Sequence, residues 1–277
     1  MPHITAIIPA AGLGTRLLPF TRYLPKEMMP LGDKPIIYYS IAEIQQAGVE
    51  KIILITNTAK QSMADYLLHH SGLNLNEHNL MLVEQNEQKG LGHAVLCALE
   101  KIDTTCEQVV IIAPDDVMMP KNPNGVHPPS SLAIKQLLQH SKIDKNAMWV
   151  AVEKIKPSLC QKYGILDLVD GIKNDGDNNI YEAKDLVEKP SPDQAPSHIG
   201  IIARYVLPMA IFDSLQHTKA GAGGEIQLTD AMKHLLPEKK FYGVETNLIR
   251  LDTGNVDGLF QANYFCRYHT MPPDIEK

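Results

Sequence analysis

The sequence predicts an α/β fold built on a mainly parallel central sheet, and three observations carry that expectation. In the first half, short β-branched runs alternate with helix-patterned segments, the order expected of βαβ units. The hydrophobic share of 44% and charged share of 21% suit an ordinary globular chain, which excludes collagen-like, disordered and coiled-coil classes. The Gly-rich and acidic segments fall directly after strand-like runs, where loops converge in open parallel sheets.

The elements follow in order. Residues 4–9 form the first strand. Residues 36–47 form the first helix, with Ile37, Ile41 and Ile44 on one face, Pro35 at its start and Gly48 at its end. Strands are expected at 51–56, 80–84 and 109–113, separated by helices at 60–68 and 92–102. A turn-rich stretch, 121–131, leads into a second half where strands outnumber helices. Strands are expected there at 148–152, 164–169, 180–187 and 199–207, with an exposed turn at 174–179 and helices at 225–236 and 256–268. The 277 residues read as one domain with halves of approximately 1–120 and 121–277.

The net charge of -6 and the scattered Lys and Arg exclude the basic stripe that nucleic-acid binding needs. Cys97, Cys106, Cys160 and Cys266 have neither metal-ligand spacing nor framework density, so reduced thiols are expected. No apolar run reaches membrane-spanning length, and residue 4 already opens a strand without a leader pattern. A cytoplasmic protein with no membrane partner is expected.

Chemistry concentrates in a few segments. Ala10-Ala11-Gly12-Leu13-Gly14-Thr15-Arg16 places small residues and a cation after a strand, so that main-chain N–H groups can approach phosphate closely. Alone it is a tight turn, and Leu17 at the third glycine position breaks the dinucleotide fingerprint. It continues into Leu24-Pro25-Lys26-Glu27-Met28-Met29-Pro30-Leu31 and Asp33-Lys34-Pro35. Further on stand Gln85 with Gly90-Leu91-Gly92-His93-Ala94, Ala113-Pro114-Asp115-Asp116, Tyr163-Gly164 and Val187-Glu188-Lys189-Pro190. A Gly-rich run from Gly221 to Asp230 and Leu251-Asp252-Thr253-Gly254 complete the set.

In this order and over almost the whole chain, these segments resemble the sugar-phosphate nucleotidyltransferases, most closely the bacterial branch that uses UTP and glucose 1-phosphate. The resemblance implies a Rossmann-like nucleotidyltransferase core, with a nucleotide-binding half and a smaller sugar-binding portion. It implies conversion of UTP and α-D-glucose 1-phosphate to UDP-glucose and pyrophosphate, with Mg2+ as cofactor, in a homo-oligomer. Arg16, Lys26, Asp115 and Lys189 would be catalytic. Ala10, Ala11, Gly12, Gly14, Thr15, Glu27, Gln85, Gly90, Asp116, Gly164, Glu188 and Lys189 would bind substrate. Asp115 and Asp252 would hold the metal, whose preference is for a few carboxylates completed by phosphate and water. His93 is read as a packing or capping residue.

Three departures keep other readings open. The 68–80 connection is short, Ala203 stands where the family usually has Gly, and Leu251-Asp252-Thr253-Gly254 leans toward the thymidylyltransferase form. The same chemistry on a thymidine nucleotide or another sugar, and a non-catalytic nucleotide-sugar-binding regulator, are the alternatives. The presence of Thr15, Arg16, Lys26, Asp115 and Lys189 argues against the silent one.

Overall fold

Ala6, Ile7 and Ile8 are fully buried, as are Ile52, Ile53, Leu54 and Ile55, and Val109, Val110, Ile111 and Ile112. Since successive side chains of a strand face opposite ways, these runs must be covered on both faces, as central strands of an α/β sheet are. The computed structural model describes residues 3–57, 60–121, 133–175, 178–221 and 224–272. The strands are β1 (His3–Pro9), β2 (Pro30–Leu31), β3 (Lys34–Pro35), β4 (Lys51–Thr56), β5 (Leu80–Glu84), β6 (Cys106–Ile112) and β7 (Asp116–Pro120). They continue with β8 (Met148–Lys154), β9 (Gly164–Asp175), β10 (Asn178–Glu188), β11 (Ile199–Pro208), β12 (Phe241–Glu245) and β13 (Leu248–Asp252). The helices are α1 (Ile36–Gln46), α2 (Gln61–Asp65), α3 (Gly90–Cys97), α4 (Ala133–Ser141), α5 (Ala210–His217), α6 (Leu228–Leu235) and α7 (Val256–Tyr268).

Nine of the described strands form one sheet in the order β5-β4-β1-β6-β11-β8-β12-β10-β9. The β5-β4-β1-β6 block and the β8–β12 pair are parallel, whereas β11 and β10 run against their neighbours. One face packs Ile7, Ile53, Val109 and Ile111 under α3, α5 and α6. The other packs Ala6, Ile8, Ile52, Leu54 and Val110 under α1, α2 and α4. The expected α/β class and mainly parallel sheet are therefore present.

Beside the sheet, β7 and β13 pair antiparallel with Asp116 opposite Asp252. This ribbon covers a smaller apolar cluster that includes Leu17, Met29, Ile36, Tyr39, Val117, Leu251 and Phe265. The ribbon, α4 and α5 were not expected from the sequence. Helix α6 begins at Leu228, three residues later than expected, because Ile226 spends its N–H on the Lys89 carbonyl and its carbonyl on the Gly92 N–H. The 60–68 helix is α2 continued by a wider turn at Tyr66–His70. The predicted turn at 174–179 is a strand reversal, with β9 reaching Asp175 and β10 starting at Asn178. Of the 121–131 stretch, only Lys121 lies within the described residues. The four cysteines are free thiols. No described helix is long and apolar enough to cross a membrane.

Candidate active site

Strands β1, β4 and β6 are parallel neighbours, so the loops after them open on one edge. After β1 the chain leaves through Ala10 and Ala11, both buried, and turns at Gly14 in the left-handed region at φ 65. A Cβ at Gly14 would come within 2.8 Å of Thr21 Cγ2 and 3.3 Å of Lys26 Cβ. Glycine therefore serves both the dihedral and the close approach of the Lys26 segment. Thr21 Oγ1 donates to the Gly14 carbonyl at 2.9 Å and fastens the turn.

That approach lays Lys26 against the end of β6. Lys26 Nζ donates to Asp115 Oδ2 at 2.7 Å. Burial alone would depress the Lys26 ammonium, but Asp115, with Glu27 adding to it, holds its pKa above the ordinary lysine value. Burial would likewise raise Asp115, yet the charge and hydrogen bond of Lys26 hold its carboxyl below the usual range. Both groups are thus ionised at neutral pH.

Asp252 is brought to the same place by the β7–β13 ribbon. A Cβ at Gly254 would sit 3.1 Å from Asp115 Oδ2, 3.1 Å from Asp252 Oδ1 and 3.0 Å from Arg16 Nη2. Two carboxylate oxygens and a guanidinium thus converge on one point, and only a residue without a side chain leaves it open. Asp252 Oδ1 accepts from the Gly254 N–H at 2.9 Å, and Thr253 donates from both N–H and hydroxyl to the Asp115 carbonyl. Among the described residues no group of three or more His, Cys, Asp or Glu could enclose a metal ion. Two convergent, partly exposed carboxylates do fit Mg2+, which takes few protein ligands and completes its shell with phosphate and water.

Arg250, unremarked in the sequence, organises the adjoining floor. On the ribbon it lies two residues before Asp252, so its side chain reaches diagonally to Asp116. Its Nη1 donates to Asp116 Oδ1 at 2.9 Å, its Nε to Glu153 Oε2 at 2.7 Å and its Nη2 to the Tyr163 hydroxyl at 2.7 Å. Burial raises the Asp116 carboxyl, against the pull of Arg250, with Asp115 and Asp252 adding to the rise. Asp116 is therefore engaged by protein as well as close to Asp115 and Asp252.

Tyr163 also leads to the second cation. Its carbonyl accepts from the Lys189 N–H at 3.0 Å, and Gly164 pairs with Glu188 across β9 and β10. Lys189 stands at φ 46, a conformation that costs a non-glycine residue energy and persists only where its surroundings fix it. Its Nζ lies 3.1 Å from Glu188 Oε1. On the other side, Gln85 donates to the Gly90 carbonyl at 3.2 Å and meets His93 Nδ1 at 3.0 Å. His93 thus meets the Gln85 amide through its ring nitrogen.

Glu27 departs from expectation. It was expected to bind substrate, but its side chain is fully buried and its Oε2 accepts from Lys60 Nζ at 2.7 Å. Burial raises the Glu27 carboxyl and lowers the Lys60 ammonium. The Leu-Pro-Lys-Glu segment places the two side chains on opposite sides, with Lys26 toward Asp115 and Glu27 toward the interior. Lys60, which opens the segment leading into α2, carried no signal in the sequence beyond a helix start.

A mostly parallel sheet whose strand-end loops gather two carboxylates and an arginine around a glycine turn, with a lysine against one of the carboxylates, defines an enzyme that handles phosphate esters. The chain belongs to the Nucleotidyl transferase family, whose sequence model matches residues 5–268. It is 37% identical over 276 residues to UTP–glucose-1-phosphate uridylyltransferase YngB of Bacillus subtilis, covering 93% of this chain and 87% of that one. It is 35% identical over 290 residues to the UTP–glucose-1-phosphate uridylyltransferase of Mycoplasma genitalium, covering 98% and 94%. A crystal structure of UDP-glucose pyrophosphorylase complexed with UDP-glucose matches 96% of this chain and 100% of that chain, with a TM-score of 0.81 at 33% identity. A UTP-bound enzyme of the same kind from Acinetobacter baumannii matches 96% and 93%, with a TM-score of 0.78 at 30% identity.

Proposed function

We propose that this chain joins UTP and α-D-glucose 1-phosphate into UDP-glucose, releasing pyrophosphate, with Mg2+ as its cation. The observation that carries this reading is the convergence of Asp115, Asp252 and Arg16 on the space at Gly254, with Lys26 against Asp115. The reaction moves a uridylyl group. A phosphate oxygen of glucose 1-phosphate attacks the α-phosphorus of UTP. A new P–O bond forms as the bond from the α-phosphorus to the bridging oxygen of the β-phosphate breaks, and that oxygen leaves with pyrophosphate.

The nucleophile is already an anion, so the site needs no general base. It needs alignment and neutralisation of charge. Arg16 and Lys26 face the triphosphate from the loop after β1 and stabilise charge as it shifts toward the leaving group. Lys189 holds the phosphate of the sugar substrate, and Glu188 accepts from sugar hydroxyls. Gln85 and Gly90 contribute to the base pocket, and Ala10, Ala11, Gly12, Gly14 and Thr15 supply main chain around the nucleotide. Asp115 and Asp252 would hold Mg2+, which supplies neutralisation of the phosphate oxygens and a fixed geometry for displacement. The test is pyrophosphate release measured over a matrix of nucleoside triphosphates and sugar 1-phosphates. UTP with glucose 1-phosphate should give the highest kcat/KM; a clear preference for dTTP, ATP or CTP would refute the assignment.

A further inference from the structure

Ala10, Ala11 and Gly12 form the part of the nucleotide loop in which the backbone has no secondary structure to orient it. Each of their carbonyls nevertheless has a fixed partner. Lys60 Nζ donates to the Ala10 carbonyl, to the Gly12 carbonyl at 2.9 Å and to Glu27 Oε2 at 2.7 Å. An ammonium has three protons to give, so all of its donor capacity is committed. The intervening Ala11 carbonyl accepts from Asn57 Nδ2 at 2.8 Å and from Gln88 Nε2 at 3.3 Å. In a planar trans peptide the N–H points opposite to the carbonyl of the same unit. Fixing these three carbonyls therefore fixes the N–H groups of Ala11, Gly12 and Leu13, which have no acceptor among the described residues. Ala11 is buried whereas Gly12 and Leu13 are exposed at the mouth of the loop, and successive N–H groups without a protein acceptor form a concavity that suits an anion.

We propose that Lys60 is a positioning residue for the nucleotide. With Glu27 as counter-ion and Asn57 beside it, Lys60 grips the loop from inside and presents the N–H groups of Ala11, Gly12 and Leu13 to the triphosphate. It acts without touching substrate. Lys60 is only 6% exposed, and β4, whose end leads to it, lies beside β1, so the grip is built into the sheet. Glu27 thereby gains a role in nucleotide binding one step removed from contact. The inference rests on the reading given under Proposed function.

Three variants test it. Lys60→Met removes the grip and strands the Glu27 carboxylate, so both stability and nucleotide binding should fall. The double variant Glu27→Gln with Lys60→Met removes the stranded charge and should recover most of the lost thermal stability. It should still bind Mg2+-UTP more weakly by on the order of 10–100-fold, the cost typical of losing a residue that orients a ligand-binding group. Its KM for glucose 1-phosphate should stay near the wild-type value. A double variant that recovers both stability and UTP affinity would reduce Lys60 to a packing residue and overturn the proposal. Asn57→Ala, which leaves the buried pair intact, covers the case where neither Lys60 variant folds; it should weaken UTP binding, and a folded Asn57→Ala protein with unchanged UTP affinity also overturns it. UTP binding is measured by calorimetry without turnover. Wild-type turnover of UTP with glucose 1-phosphate tests the functional reading separately.

Discussion

Lys26 Nζ and Asp115 Oδ2 meet at 2.7 Å, so a cation from the loop after β1 and a carboxylate from the end of β6 are held as one pair. Each keeps the other ionised despite burial. A divalent cation held by Asp115 would compete with Lys26 for that carboxylate and would leave the ammonium available to phosphate.

Asp115→Asn keeps the shape of the side chain and removes its charge. Turnover should fall on the order of 10²–10³-fold, as for loss of one preorganised electrostatic contact, and the Mg2+ concentration for half-maximal rate should rise. Asp252→Asn should move both quantities in the same direction. Steady-state rates over a Mg2+ titration, with thermal unfolding of the metal-free proteins, check this. Wild-type turnover and Mg2+ dependence in folded Asp115→Asn would remove Asp115 from the metal site.

Arg250 is expected to matter twice. It joins Asp116 to Glu153 and Tyr163 through three donors, and Tyr163 in turn holds the Lys189 backbone. Arg250→Met leaves the partly buried Asp116 without its cation and should destabilise the protein by about 1–3 kcal/mol, below the range for breaking a fully buried charge pair. Arg250→Lys keeps the charge but cannot span three acceptors with a planar fork. It should fold better than the Met variant and still show a raised KM for glucose 1-phosphate, because Tyr163 is released. Urea unfolding and separate KM values for the two substrates are the measurements.

How much of this was legible in the sequence depended on distance along the chain. The 256–268 helix was read with the bounds that the structure gives it, and the α1 helix between Pro35 and Gly48 was read within a residue, because local periodicity and caps define both. Lys26, Asp115 and Asp252 were found through motifs, and their convergence is consistent with that reading. Arg250 was not found, because its partner Asp116 lies 134 residues away and the short ribbon joining them has no periodicity of its own. Lys60 was missed for a similar reason: it is 33 residues from Glu27 and sits at the head of a helix-patterned segment, where a lysine is ordinarily solvated. Glu27 was misassigned because its motif does not say on which side of the turn each residue falls.

A pH effect is expected at Asp103, far from the chemistry. Its carboxylate accepts from the Thr105 N–H and hydroxyl and from Lys51, which lowers its pKa from 3.8 to about 2. A carboxyl depressed on folding contributes stability that is full above its unfolded pKa and is lost as pH falls through its folded one. Wild type should therefore exceed Asp103→Ala in melting temperature at neutral pH, and the gap should close between about pH 4 and pH 2. A gap that stays constant over that range would show that the Thr105 and Lys51 bonds do not favour the charged form.

The most specific prediction concerns Gly254, which bears no functional group. Its backbone is not among the positive-φ glycines, so alanine is compatible with the chain there. The added methyl, however, would lie about 3 Å from Arg16 Nη2, Asp115 Oδ2 and Asp252 Oδ1. That is closer than carbon and oxygen normally approach, and the three side chains would have to part. They are the far ends of partly exposed side chains, not backbone, so the fold should bear the change with a shift in melting temperature of only a few degrees. Catalysis should not. Two carboxylates held apart bind a divalent cation less well, and a displaced Arg16 no longer meets the triphosphate, so turnover should fall on the order of 10²-fold or more. Mn2+, which tolerates a looser ligand set, should restore more activity than Mg2+. The measurements are kcat with each metal and the melting temperature of Gly254→Ala beside wild type. If the variant keeps its fold and its wild-type turnover with Mg2+, the reacting phosphates do not sit at the point where Arg16, Asp115 and Asp252 converge, and the site must lie elsewhere along the strand ends.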